Sequence, residues 1–217
     1  MTPRERAVAA LTLKVPDFVP TFELEFQLED EMFGKPFLRE KDLEGKSEKE
    51  KEKMLRENAQ YMVEVYSALE YSIIPVHYLS RENIGKTARY IRELTGNQFM
   101  LTTHGDGTFS IPSGDKMLEF VYWLADKPED AKRVAQEMAD RAIEQNKRMI
   151  DEGFDSFILC SDYCFNVGPF LSPAMFREFV TPYLYQIIKA TKEAGAYVIK
   201  HTDGNIMPIL DQLVECE

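Results

Sequence analysis

Several features that would identify common protein classes are missing from this 217-residue sequence. No apolar run approaches the roughly 18–20 residues that a membrane-spanning helix needs, and the opening MTPRERAVAAL has no signal-peptide core. Cysteine is scarce, with three residues in a spacing unlike that of zinc fingers. A cytoplasmic protein with reduced thiols and no membrane partner is therefore expected.

Basic residues are also in short supply. The chain has 26 lysines and arginines against 37 acidic residues, which gives a formal net charge of −11. This balance argues against a nucleic-acid partner and against unaided capture of a polyanionic substrate.

What the sequence does have is an alternation of strand-like runs and long amphipathic helical patterns, which is typical of βα units with a parallel sheet. Helix starts are indicated at Ser47, where Glu50 completes a capping box, at Pro128 and at Ser172-Pro173. The helices that begin at Pro128 and Ser172 are expected to end at Gly153 and Gly195. Strands are predicted over residues 19–26, 71–77, 99–104, 156–161 and 196–201. No Gly-rich phosphate turn follows the first of these strands, so a dinucleotide-binding fold has little support.

The three histidines occupy a common position in this pattern. His77, His104 and His201 each end a predicted strand, and in a parallel barrel the carboxyl ends of the strands form the mouth of the active site. One histidine at such a place is commonly a hydrogen-bonded structural residue. Three of them favour a catalytic site.

His201 and Asp203 form the sharpest local motif, in the sequence KHTDGN. On an extended segment, residues two apart point to the same side, so an imidazole and a carboxylate would project together. Such a pair can form half of a zinc site that keeps an open position for substrate. The alternative is that Asp203 caps a helix or holds the His201 tautomer with no metal present.

Two further candidates come from other predicted strands. Glu25 lies on the polar face of the first strand, near its end, where an unpaired carboxylate is costly unless it has a function. Asp162 and Tyr163 follow the fourth strand, and a carboxylate with a phenol can orient or protonate a substrate. Supporting hydrogen bonds are the alternative role for these residues.

These residues and three longer motifs resemble the uroporphyrinogen decarboxylase / corrinoid-dependent methyltransferase (URO-D-like) family. The motifs are TPRER with VPDFVP near the start of the chain, FLSPAMFREFVTP at residues 170–182, and His-x-Asp-Gly-Asn from His201. The resemblance implies a single α/β domain over residues 1–217, a (β/α)8 TIM barrel truncated after its fifth βα unit, with three units missing. Exposed strand edges would then make the isolated chain poorly soluble.

The resemblance leaves two activities to separate. Decarboxylases of the family carry an arginine-rich segment after the first strand, whereas residues 15–38 of this chain hold six acids and one base, Lys35. The methyltransferases often bind zinc through His-x-Cys-Gly, and here His201 matches the histidine while Asp203 replaces the cysteine. An oxygen ligand suits thiol activation poorly and leaves methyl ethers or methylamines as substrates.

The resemblance therefore implies a methyltransferase that uses a small-molecule methyl donor or acceptor, a corrinoid on a partner protein and possible zinc. A tetrapyrrole decarboxylase and a non-catalytic barrel subunit are the alternatives.

Overall fold

A computed structural model describes residues 1–216 of the chain, which form a mixed α/β structure. Helices in the described part are α1 (Pro3–Leu11), α2 (Glu29–Phe33), α3 (Glu48–Ala68), α4 (Arg81–Thr95), α5 (Met117–Asp126), α6 (Pro128–Asp151), α7 (Pro173–Phe179), α8 (Thr181–Glu193) and α9 (Leu210–Val214). The strands are β1 (Ile73–Pro75), β2 (Met100–His104), β3 (Ser156–Leu159), β4 (Cys164–Phe165), β5 (Gly168–Pro169) and β6 (Tyr197–Lys200). No helix among these is both long and apolar enough to cross a membrane.

The predicted helix starts at Ser47 and Ser172 are confirmed. The Ser47 backbone N–H donates to Glu50 Oε2 at 2.9 Å and the Glu50 N–H donates back to Ser47 Oγ, which forms the predicted capping box. Ser172 Oγ accepts from the Met175 N–H at 3.3 Å. Both side chains satisfy backbone donors that the first helical turn leaves without partners.

The prediction of one helix from Ser172 to Gly195 was wrong, because the segment contains two helices, α7 and α8. Val180 ends α7 with a φ of −124°, outside the helical range. Pro182 lies in the first turn of α8, where its missing N–H leaves no hydrogen bond unmade. Helix α5 was not predicted, and its sequence, MLEFVYWLAD, is nearly continuously apolar.

The main sheet contains β1, β2, β3 and β6, in that order, and these correspond to four of the five predicted strands. Strands β1 and β2 run parallel, with Ile73 opposite Met100. A closed barrel is not shown by these four strands, so the eight-stranded form remains an expectation. Strands β4 and β5 form a separate antiparallel hairpin.

The predicted first strand over residues 19–26 was wrong, because this segment is irregular. Its Thr21 carbonyl accepts from the Ser72 N–H at 2.9 Å, but Pro20 has no N–H to contribute to a ladder. The aromatic ring of Phe26 is buried, with its centroid 6.4 Å from Tyr66 and 6.3 Å from Tyr71. Burial of this apolar side chain and isolated hydrogen bonds, in place of a strand ladder, hold the segment.

The chain forms two compact units, which are described separately. Unit 1 contains residues 1–103 and 149–156, and unit 2 contains residues 104–148 and the chain from residue 157 onward. The core of unit 1 includes Leu55, Tyr66, Ile74, Ile91 and Leu101. The core of unit 2 includes Leu124, Ile158, Leu159, Phe176 and Ile187.

Candidate functional site

Three side chains of unit 2 converge after the carboxyl ends of β3 and β6. Asp162, His201 and Asp203 each offer one ligand atom, and these atoms all lie within 4.8 Å of one another. His201 Nε2 is 3.7 Å from Asp203 Oδ1. The side chains of His201 and Asp203 are 39% and 78% exposed, so the cluster is open to solvent.

Backbone hydrogen bonds place the loop that follows β6 beside the segment that follows β3. The His201 N–H donates to the Leu159 carbonyl at 2.9 Å, which continues the pairing of the two strands. The Asp203 N–H donates to Asp162 Oδ1 at 3.0 Å. Thr202 Oγ1 accepts from the Tyr163 N–H at 3.1 Å. These hydrogen bonds, each donated by a main-chain N–H, hold the two segments that carry the three side chains close together.

Gly204 allows this close approach. It has a φ of +85°, and a Cβ atom there would lie 2.7 Å from the Phe165 carbonyl oxygen and closer still to that of Cys164. The next residue, Asn205, donates its N–H to the same Phe165 carbonyl at 2.9 Å. Only glycine combines this backbone conformation with the space available.

The donor set fits a divalent metal ion. Catalytic zinc sites use three protein ligands from histidine and carboxylate side chains and leave one position for water or substrate. The Nδ1 atom of His201 is buried and has no hydrogen-bond partner within residues 1–216. A buried imidazole nitrogen without a partner is rare in folded proteins, and it belongs to the same ring whose Nε2 lies near Asp203. Sequence reasoning assigned Asp162 to catalysis and did not place it among the metal ligands.

A buried ion pair that sequence reasoning missed lies beside the cluster. Lys200 Nζ is 3.2 Å from Asp106 Oδ2, and Asp106 also accepts from the N–H groups of Thr108 and Ser161, each at 2.9 Å. Burial alone would raise the pKa of Asp106, but Lys200 and these hydrogen bonds outweigh it and lower the pKa. Burial lowers the pKa of Lys200, and Asp106 opposes this change. In the sequence, the feature that draws attention to Asp106 is its position between Gly105 and Gly107, directly after a predicted strand.

Tyr163, a predicted catalytic residue, has its hydroxyl in the same buried network. The hydroxyl oxygen is 2.6 Å from Thr108 Oγ1, and Lys200 Nζ lies 4.3 Å from the ring centroid. Burial, with the charge of Asp106, raises the pKa of Tyr163 well above its ordinary value. The phenol therefore stays protonated near neutral pH.

Asp162 also borders an apolar cleft of unit 2. The lining residues with polar side-chain groups are Ser110, Asp162 and Tyr163. The remaining lining is Phe109, Ile111, Phe170, Leu171, Phe176 and Val180. The cleft has a free volume of about 10 Å³, which is room for about one water molecule, so it forms a narrow apolar crevice beside Asp162.

The candidates Glu25 and His77 lie in unit 1, where they line one small cleft together with Tyr78. His77 is buried, with Nε2 2.9 Å from the Leu24 carbonyl oxygen. The Tyr78 hydroxyl donates to Glu25 Oε2 at 3.2 Å. Tyr78 was not predicted, and its φ of +66° is a rare conformation for an aromatic residue.

His104 is the last residue of β2 and is partly buried. The convergence of Glu25 and at least one of His77 and His104 with His201 and Asp203 in one pocket remains a prediction.

Three comparisons bear on the relationships of the chain. Residues 110–217 match the sequence model of the uroporphyrinogen decarboxylase (URO-D) family. No curated protein matches the chain. The fold is similar to that of a methyltransferase from Methanosarcina mazei, with a TM-score of 0.71 and 16% sequence identity, over 100% of this chain and 74% of that one. At this identity the likeness shows the fold, and the sequence match shows that the chain from residue 110 onward is similar to the URO-D family.

Proposed function

We propose that the protein is a methyltransferase that moves a methyl group between a small substrate and a corrinoid carried by a partner protein. In this proposal Asp162, His201 and Asp203 hold a zinc ion. The observation that carries it is the convergence of three ligand atoms within 4.8 Å, beside an apolar cleft that shares Asp162. The likeness in fold to a methyltransferase supports the same reaction class.

The chain supplies binding and orientation for this reaction. A bound zinc ion would act as a Lewis acid on the heteroatom that carries the methyl group. The aromatic and aliphatic side chains beside Asp162 would give the apolar part of the substrate a surface to pack against. The methyl group would pass as a cation equivalent to the nucleophilic corrinoid, its heteroatom would keep the electron pair of the broken bond, and a proton from solvent would complete the leaving group. The Tyr163 phenol, whose pKa is raised by burial, stays neutral.

The ligand set favours methyl ethers or methylamines over thiols. Two carboxylates and one imidazole contain no sulfur, and a thiol substrate is activated best where cysteine ligands surround the zinc. The decarboxylase alternative requires cationic groups for several carboxylates, and residues 15–38 carry six acids and one base.

The test is metal content together with methyl transfer in matched variants. His201→Ala and Asp162→Asn should lose zinc, measured by elemental analysis after gel filtration, and should lose methyl transfer from methyl ethers or methylamines to a free corrinoid. Asp211→Asn is the control, because Asp211 is an exposed acid of α9 in the same unit and its loss changes the net charge equally. Full transfer by metal-free protein would contradict the zinc assignment, and no transfer to any acceptor would contradict the methyltransferase.

A further inference from the structure

The side chain of Lys200 makes an unusual number of contacts for a lysine. Its Nζ donates to the carbonyl oxygens of Leu159 at 3.0 Å, Ser161 at 2.9 Å and His201 at 2.9 Å, and it pairs with Asp106 at 3.2 Å. An ammonium has three N–H donors for these four acceptors, so at least one donor is shared. Its side chain is 16% exposed and that of Asp106 is 11% exposed.

These contacts act on the peptide groups that precede or belong to the ligand residues. The Ser161 carbonyl is part of the peptide bond to Asp162, and the His201 carbonyl is part of the peptide bond that links His201 to Thr202. Asp106 binds the amide side of Ser161, because its Oδ2 accepts from the Ser161 N–H at 2.9 Å. Ser161 is therefore fixed through both its N–H and its carbonyl group.

We propose that Lys200 and Asp106 are positioning residues that set the spacing of Asp162, His201 and Asp203. The proposal rests on the ligand set proposed above, although neither residue belongs to it. Lys200 holds the ends of β3 and β6 together, and Asp106 orients Lys200 and Ser161. The pair thus fixes the backbone that follows the two strands. It thereby sets the distances between the side chains that would bind one ion.

The charge of the pair also fits this role. Asp162 and Asp203 place two carboxylates near each other, and the positive charge of Lys200 lies within electrostatic range of Asp162. A methionine at residue 200 would remove this donor from the carbonyl groups of Ser161 and His201, whereas the Leu159 carbonyl keeps the His201 N–H. Leaving such groups unpaired is unfavourable. Removing a supporting partner of a metal ligand typically lowers metal affinity by about 10–100-fold.

Arg92 and Asp155 provide a matched control in unit 1. Arg92 Nη2 pairs with Asp155 Oδ2, and their side chains are 18% and 13% exposed, close to the values for Lys200 and Asp106. Arg92 also donates to backbone carbonyls, those of Gly153 and Phe99. Arg92→Met therefore removes a buried ion pair of the same kind in a unit that contains no proposed ligand.

The experiment compares zinc affinity in the full chain, by competition with a chromophoric chelator, for Lys200→Met, Lys200→Arg, Asp106→Asn and Arg92→Met. We expect Lys200→Met and Asp106→Asn to weaken zinc binding about 10–100-fold at a temperature where circular dichroism shows them folded. Lys200→Arg keeps the charge and donors and should recover part of the affinity. Arg92→Met should lower the melting temperature and leave zinc affinity unchanged.

Amide hydrogen exchange on the metal-free protein gives a second measurement. If Lys200→Met folds poorly, the same measurement on Asp106→Asn still tests the proposal. The N–H groups of His201 and Asp203 should exchange faster in the unit 2 variants and at the wild-type rate in Arg92→Met. Zinc affinity within twofold of wild type together with unchanged exchange would overturn the positioning role. If the wild-type protein binds no zinc, the proposed function fails. In that case the exchange rates of the His201 and Asp203 N–H groups decide the positioning role, and unchanged rates overturn it.

Discussion

Single residues near the ligand cluster are constrained by the atoms immediately around them. Gly204 lies against two carbonyl groups of the β4–β5 hairpin. The Asp162 carboxylate accepts a hydrogen bond from the Asp203 N–H. Both restrict how the loop after β6 can be placed. The cost of the close contact at Gly204 can be separated from the cost of its positive φ, because Gly195 has a similar φ with open space around it.

Gly204→Ala should destabilise the chain more than Gly195→Ala. Both glycines have a φ near +90°, so alanine is strained at either position by about 1–2 kcal/mol. A Cβ at residue 204 also meets backbone oxygens, whereas a Cβ at residue 195 has nothing within 4 Å. Overpacking should add about 1–3 kcal/mol at residue 204, measured by urea unfolding. Equal losses in the two variants would show that the close contact relaxes freely.

Asp17→Asn tests an ion pair at residue scale through its pH dependence. Arg6 hydrogen-bonds Asp17 with Nε 2.6 Å from Oδ1, and this contact is the main reason that the pKa of Asp17 lies far below its ordinary value. A lowered pKa contributes stability above the unfolded value of about 4, and that stability is lost as the pH falls toward the folded value.

The Asn variant should therefore be less stable than wild type at pH 7, and the difference should shrink in acid below about pH 4. Thermal melts of both proteins between neutral pH and pH 3 measure this. A constant difference across the range would mean that the carboxylate charge is not responsible.

At the scale of elements, local sequence signals fixed helix starts better than strands. The Ser47–Glu50 capping box begins α3 as predicted, because its hydrogen bonds involve only neighbouring residues. The alternation of residues 19–26 failed to give a strand, because a strand needs a partner with free N–H and carbonyl groups along its length. Strand formation is decided by distant segments.

Ser47→Ala should reduce stability by about 1 kcal/mol, since it removes the side-chain acceptor for the Glu50 N–H. Ser67→Ala is the control in the same helix, because Ser67 is exposed near the end of α3 and its side chain caps nothing. Alanine is the better helix former there, so this variant should be neutral or slightly more stable. Urea denaturation of the two variants measures the difference, and equal stabilities would mean that the cap contributes little.

The whole molecule is strongly acidic, and this bears on the choice between the family's two activities. A net charge of −11 repels a polycarboxylate at long range, and the repulsion grows as ionic strength falls. Uroporphyrin should consequently fail to bind at low salt, as measured by its absorbance or by quenching of Trp123 fluorescence. Binding in the micromolar range at low ionic strength would revive the decarboxylase alternative.

The sequence by itself determined the α/β class, four strand positions, the helix caps and the pairing of His201 with Asp203. These rest on relations between residues two to four apart, where chain geometry alone brings side chains together. It also named Asp162 as a catalytic candidate, which remains a prediction.

Only the tertiary structure decided that Asp162 joins His201 and Asp203, and that Lys200 pairs with Asp106, which lies 94 residues earlier in the chain. It also decided the break between α7 and α8, the hairpin β4–β5 and the irregular course of residues 19–26. No local pattern records these features, because each depends on burial and hydrogen bonding between segments that are brought together only when the chain folds.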